Sequence, residues 1–329
     1  MKERLIQILR AANAWNVTDI HFGISQNSGR KVTIEMRVDG RIRQLKEDPD
    51  DLRLFHYLMY RADLDLSGAM EPQTGRFEET VDGRRMSLRF ALVSSYYVTS
   101  GVLRILNSRD SLQVRALTHD EEAADWLQDI TAHPCGLFIL SGPTSSGKTT
   151  SLYTILNAAE DKRIFTLEDP VEVVNERYVQ LQVNEKRHFT YDDGIRQLMR
   201  HDPDIIMIGE VRDSTTAAMA VRSALTGHLV VTSLHSFSCV SAIHRMMDLG
   251  VQEYQLRDVL TGISCQRLFD CPQGGRTGIY EWMDRKEIGY YFDHGRTSEN
   301  FRPLAESIRQ ERAAGTIDAD QAEAELAGS

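Results

Sequence analysis

Apolar residues recur along this chain with two periods, and the change between them marks two domains. At the amino terminus Leu5, Ile6, Leu9 and Ala12 fall on one face of a helix whose other positions carry charge. Segments that alternate apolar and polar residues follow: Asp19 to Phe22, Lys31 to Val38, Arg76-Phe77 and Arg85 to Val93. Alternation of that kind predicts half-buried strands, and Asn27-Ser28-Gly29, Asp39-Gly40 and Asp82-Gly83 supply turn signals between them. A helix from Asp51 to Ala62 divides the set, which predicts a small α+β domain over 1–107. The polar stretch Asn107 to Asp120 reads as a linker, 108–120. From Glu121 helices alternate with short, predominantly apolar runs at Leu137–Leu140, Ile164–Leu167, Ile205–Ile208 and Leu229–Thr232. Buried parallel strands have that composition, so 121–329 is expected to be α/β with a parallel sheet. The tail from Phe301 to Ser329 reads as helical, with a break at Gly315.

Composition adds limits. A chain of 329 residues with 41% hydrophobic and 26% charged residues is globular and long enough for two cores. Its net charge of −10 argues against a general nucleic-acid binder. Cys135, Cys239, Cys265 and Cys271 contain no C-x-x-C pair, which fits a reducing cytosol better than a disulfide scaffold. No apolar run approaches the roughly 20 residues of a membrane-spanning helix, and the charged first helix is not a signal peptide. A cytoplasmic protein without its own transmembrane segment is expected.

The chemistry concentrates in Gly142, Pro143, Thr144, Ser145, Ser146, Gly147, Lys148, Thr149 and Thr150, which fit the phosphate-loop pattern G-x-x-x-x-G-K-[ST]. An apolar run precedes the pattern and a helical one follows it, with Leu152, Ile155, Leu156 and Ala159 on one face. The glycines let successive backbone N–H groups turn inward around a polyphosphate, and the helix N-terminus adds a favourable dipole. Lys148 is placed to reach the β- and γ-phosphates of ATP, and the Thr149 hydroxyl to bind Mg²⁺.

Polar residues end the later strands, at the edge where ligands of such sheets bind. Glu168, Asp169 and Glu172 follow the second run, Glu210, Arg212 and Asp213 the third, and His228 and His235 bracket the fourth. A carboxylate there holds Mg²⁺-bound water or orients the attacking one, and a histidine donates to phosphate. Glu168 and Glu210 remain alternatives for the base.

These residues resemble the secretion-superfamily ATPases of type II secretion, type IV pilus assembly and retraction, and competence pseudopilus assembly. The likeness runs through an Asp box, Thr166 to Glu172, an atypical Walker B segment, Arg200 to Asp213, and a His box, Thr226 to His235. In the small domain it runs through Thr18 to His21 and Arg37 to Gly40. The resemblance implies a RecA-like ATPase domain behind a PAS-like α+β domain. Gln266-Arg267-Leu268 followed by Gly275 to Glu281 resembles assembly-type motors. A short chain lacking a long amino-terminal extension is most similar to the competence ATPases of Gram-positive bacteria. Three departures stand out. The family's four-cysteine zinc knuckle shrinks to Phe269 to Gly274, so Cys265 and Cys271 read as structural. Asp213 to Ala217 lacks a family glutamate, and the Walker B run has no aspartate after it, leaving Mg²⁺ to Thr149 and Glu210.

The resemblance also implies a homo-hexamer acting on a polytopic platform protein at the cytoplasmic face of the membrane. It matches Arg89 and Arg104 to arginines that reach nucleotide from the small domain, with Arg76 a third candidate. An arginine facing inward from a strand is uncommon without an anion to meet. The expected function is ATP-driven assembly of a competence pseudopilus for DNA uptake, with a type II secretion or type IV pilus motor as the alternative. A nucleic-acid translocating ATPase and a scaffold that binds ATP without cleaving it are the rivals of other classes.

Overall fold

The structure, a computed structural model, describes all residues except 16, 18, 26–30, 39–40, 66–71, 96–97, 107–111, 185–188 and 329. The turns expected at Asn27 to Gly29 and at Asp39-Gly40, the start of the linker, and Thr18 of the family pattern therefore lie outside the described residues. The chain divides into two compact units, Met1–Ser108 with Glu172–Val174, and Arg109–Val171 with Asn175–Ser329. Among the described residues no helix is long and apolar enough to cross a membrane.

The first unit holds α1 (Lys2–Ala14), β1 (Asp19–Ser25), β2 (Lys31–Val38), β3 (Arg41–Gln44), α2 (Asp51–Arg61), β4 (Gln73–Val81), β5 (Arg84–Ser94) and β6 (Val98–Leu106). Its strands form one antiparallel sheet in the order β3-β2-β1-β6-β5-β4. Strand β3 carries no apolar alternation because all four of its residues are exposed, so its pattern did not distinguish it from a turn. Leu5, Ile8, Leu9 and Ala12 of α1 and Leu54, Phe55, Leu58 and Met59 of α2 are buried. At the centre Phe22, Phe55 and Phe90 meet edge to face, with centroids 5.5–6.2 Å apart. Gly101 makes room for them: a Cβ there would lie 2.6 Å from Phe90 and 2.9 Å from Phe55.

The second unit begins with the described part of the expected linker, which is packed rather than solvated. Val114 and Leu117 are buried, and the Leu117 carbonyl accepts from Gly278 N at 2.7 Å. Then come α3 (Glu121–Asp129), β7 (Gly136–Ser141), α4 (Lys148–Asn157), β8 (Ile164–Glu168), β9 (Val179–Gln182), α5 (Tyr191–Leu198), β10 (Ile205–Ile208), α6 (Ser214–Leu225) and β11 (Leu229–Leu234). The remainder is α7 (Cys239–Asp248), α8 (Glu253–Val259), β12 (Leu260–Asp270), β13 (Arg276–Asp284), α9 (Arg285–His294), α10 (Leu304–Ala314) and α11 (Ala319–Gly328). Gly315, at φ 70°, ends α10 in the left-handed region where the sequence placed its break.

Seven strands form a sheet in the order β13-β12-β7-β11-β10-β8-β9. Every neighbouring pair is parallel except β12 with β13, so the expected parallel sheet is a mixed one with an antiparallel edge. The edge arises because the short turn over Cys271 to Gly275 can join only antiparallel strands. Buried Glu281 ties this edge to two helices, accepting from Cys239 N at the start of α7 at 2.6 Å and from Leu304 N at the start of α10 at 2.9 Å.

Candidate functional site

Four adjacent parallel strands deliver the candidate residues to one edge. Register pairs Ser141 with Leu234, Thr232 with Ile208, and Ile208 with Leu167. Gly142, His235, Glu210 and Glu168 therefore leave the carboxyl ends of β7, β11, β10 and β8. This is the edge at which doubly wound sheets bind ligands. His228 is not among them. It precedes β11, its carbonyl accepts from Gly136 N at the amino end of β7, and its Nδ1 pairs with Thr226 Oγ1 at 3.0 Å. The length of β11, about 20 Å at ordinary strand rise, separates it from the loop, so the nucleotide-ligand expectation for His228 finds no support in this geometry.

The loop itself is shaped by φ values of 147° at Gly142, 66° at Ser145 and 90° at Gly147. A Cβ on Gly142 would lie 2.6 Å from the Gln266 carbonyl and 2.7 Å from Ser146 Oγ. Strand β12 thus backs the loop, and the Gln266 amide donates to the Ser146 carbonyl at 2.7 Å. Gln266 entered the sequence reading only as part of a family pattern. Its supporting role was invisible there because the contact joins residues 120 positions apart. Pro143 and Gly147 are half-buried, Thr144 and Ser145 exposed, and Thr149 and Thr150 half-buried at the start of α4.

Lys148, placed by the motif to reach phosphates, is turned onto its own loop here. It is 8% exposed, and its Nζ donates to the carbonyls of Gly142 and Pro143 at 2.8 Å each. The ammonium closes the loop upon itself, and the loop's carbonyls hold its charge in the position an arriving phosphate would contest. Helix α4 is buried on more than the expected face, since Ser151, Tyr153 and Thr154 are buried beside Leu152, Ile155 and Leu156.

The two glutamates occupy different surroundings. Glu168 is 4% exposed, and its carboxylate accepts from Tyr153 Oη at 2.8 Å, Thr166 Oγ1 at 2.6 Å and Gln180 Nε2 at 3.3 Å. Glu210 accepts from Arg212 Nε at 2.8 Å and lies 2.9 Å from His235 Nε2. Arg212 also approaches Asp169 at 3.8 Å. Glu210, His235, Arg212 and Asp169 are thereby brought together, while Glu168 is held in a separate hydrogen-bonded cage. Asp213 caps α6, accepting from Thr216 N at 2.8 Å. Tyr191, which sequence reasoning missed, registers the local field. Burial, and then the charge of Asp169, push its phenol up to about 12, against the opposing pull of Arg212.

These features fit a nucleotide and a divalent cation. Ser146 Oγ is buried in the loop without a hydrogen-bond partner, and α4 starts at Lys148 with no side-chain cap on its N-terminus. The Thr149 hydroxyl at the start of α4 and the Glu210 carboxylate are hard oxygen donors of the kind Mg²⁺ takes.

In the first unit Asp19, Arg104, Arg89 and Arg76 oppose one another across β1, β6, β5 and β4, forming one row. Phe77, Leu88, Phe90, Leu103 and Ile105 beside them are buried, so the row lies on the face away from the core. Arg104 is not turned inward as expected: its side chain is 47% exposed and its Nε donates to Asp19 at 2.6 Å. Arg89 is half-buried. Cys265 is buried, which pushes its thiol up, and its sulfur accepts from Arg267 at 3.5 Å. Cys271 lies in the β12–β13 turn, 3.9 Å from His119 Nε2.

A loop of phosphate-loop sequence between a central parallel strand and its helix, with acidic residues ending the neighbouring strands, makes this an α/β protein whose sheet edge is suited to a nucleotide. The chain belongs to the family described as Type II/IV secretion system protein, which matches residues 1–318. It is 36% identical over 271 residues to type II secretion system protein E of Pseudomonas aeruginosa, covering 80% of this chain and 53% of that one. It is 32% identical over 303 residues to competence protein ComGA of Halalkalibacterium halodurans, covering 89% of this chain and 85% of the relative. The chain thus spans about half the length of the type II secretion relatives it matches. In fold it is similar to the Legionella pneumophila ATPase DotB, with a TM-score of 0.79 at 20% identity over 100% of this chain and 96% of the other.

Proposed function

We propose that this chain hydrolyses ATP with Mg²⁺ and works as a homo-hexameric ring at the cytoplasmic face of a membrane, moving a polytopic platform protein to assemble a competence pseudopilus for DNA uptake. The observation that carries the hydrolytic part is the loop of Gly142 to Thr149 at the same sheet edge as Glu168, Glu210 and His235. The competence assignment rests on the 85% coverage of the ComGA relative. A type II secretion or type IV pilus assembly motor is the second reading, favoured by the 36% identity to type II secretion protein E.

In this mechanism the loop amides and α4 N-terminus bind the polyphosphate and Lys148 exchanges its two carbonyls for phosphate oxygens. Mg²⁺, when bound through Thr149 and Glu210, would neutralise charge on those oxygens. His235 orients Glu210 through their contact, and Arg212 holds the other side of that carboxylate. Glu168 must leave at least one of its hydrogen bonds to meet water, so it serves as base only after the cage around it opens. Arg89 and Arg104 supply cations to the γ-phosphate. Like charges directly opposed across strands repel, and an anion relieves that repulsion.

Glu210→Gln should retain nucleotide affinity yet slow phosphate release about 10²-fold or more, trapping ATP on the protein. Wild-type release by a folded variant would remove Glu210 from the mechanism. In cells, a deletion strain that loses DNA uptake but keeps protein secretion and twitching supports the competence assignment; loss of secretion supports the second reading. Turnover stimulated by DNA would favour a nucleic-acid motor.

A further inference from the structure

A cavity of about 470 Å³ lies beside the phosphate loop, wholly within the second unit. Ser145 of the loop forms part of its wall, Arg267 and Leu268 of β12 another part, and Gln321, Ala324 and Glu325 of α11 a third. Leu268 presents an apolar surface next to the loop: its methyl carbons would stand 3.8 and 3.9 Å from a Cβ on Gly147.

Helix α11 lies beyond residue 318, where the family match ends. It is fastened to β12 at two points. Gln321 both accepts from Asp270 N at 3.0 Å and donates to the Asp270 carboxylate at 2.7 Å. Glu325 pairs with Arg267 Nε at 2.5 Å, and the Arg267 side chain is only 10% exposed. Ala322 is buried and Leu326 packs on the core, whereas Ala324 is exposed and borders the cavity. The helix is therefore an ordered wall rather than a trailing end.

We propose that α11 forms one wall of the pocket for the nucleoside half of the bound nucleotide, held in place by the Arg267–Glu325 ion pair. The inference rests on the phosphate loop being a nucleotide site. A polyphosphate seated on the loop has its nucleoside end tethered within reach of the adjoining cavity. Leu268 offers that end an apolar platform, and the ion pair with the Gln321 contacts fixes where the α11 wall stands relative to β12. Phosphate affinity then belongs to the loop and nucleoside affinity to α11, and the two contributions separate experimentally.

The test is titration calorimetry of the full chain with ADP and with inorganic tripolyphosphate, comparing wild type, Glu325→Ala and Ala324→Trp. Both substitutions should weaken ADP by about tenfold or more while leaving tripolyphosphate within about twofold. Ala324→Trp keeps the anchors of α11 and adds bulk at an exposed position, so it reads the cavity even where Glu325→Ala loosens the helix. Unchanged ADP affinity in Ala324→Trp overturns the proposal, as does an equal loss for both ligands in that variant. Wild type that binds tripolyphosphate and ADP equally well also overturns it while sparing the loop. Wild type that binds neither refutes the nucleotide site itself, and the α11 proposal with it.

Discussion

Replacing Lys148 by alanine should lower ATP turnover by about 10³-fold or more while the protein remains folded. The lysine is buried, so the two halves of this expectation need separate reasons. Its Nζ donates to the carbonyls of Gly142 and Pro143, and the next two residues of the loop, Thr144 and Ser145, are exposed, so water lies close to the carbonyls that the ammonium would vacate. Removing it therefore costs modest stability. The transition state is different, because charge developing on phosphate oxygens has no comparable substitute once the ammonium is gone. Calorimetric unfolding alongside a phosphate-release assay separates the two effects. A folded Lys148→Ala protein with near-normal release would mean that the loop is not the hydrolytic site.

The second large effect is expected at Arg89. Alanine in its place should reduce kcat by about 10²–10³-fold and change nucleotide affinity far less, because the contribution of the arginine falls on the transition state rather than on initial binding. Arg104→Ala should act in the same direction. Lysine should rescue either position poorly, since a point charge lacks the planar fork that grips two phosphate oxygens. Asp19 already pairs with Arg104, so the smaller loss should fall there and the larger at Arg89. Steady-state kinetics with both alanine variants check this order. Wild-type kcat in Arg89→Ala would leave the row as a purely structural ladder.

Much of this was legible in the residues. The runs at Ile164, Ile205 and Leu229 announced buried strands because each is apolar but for at most one threonine, and β10 begins and ends where its run does. Strand β9 escaped notice because Val179 to Gln182 lies at the sheet edge, where partial exposure leaves no hydrophobic signature. The hairpin of β12 and β13 carries polar residues such as Ser264, Gln266 and Glu281 in fully buried positions, so periodicity did not mark it as core. The same buried polar groups support the loop and cap helices, functions that only long-range contacts disclose. At the site, motif spacing led to the loop and both glutamates, but not to their difference in environment. Tyr153 and Gln180 cage Glu168, while Arg212 and His235 hold Glu210, and these partners come from separate elements. His228 shows the converse: proximity in a motif placed it with His235, although one strand carries the two to opposite ends of the sheet.

Cleavage of ATP at the loop of Gly142 to Thr149 is decided by inorganic phosphate release from ATP by the intact chain, measured with magnesium and again after chelation. Release that requires magnesium and exceeds the Lys148→Ala background is expected. Release no greater than that background, from wild-type protein shown to be folded, would contradict ATP hydrolysis at this site.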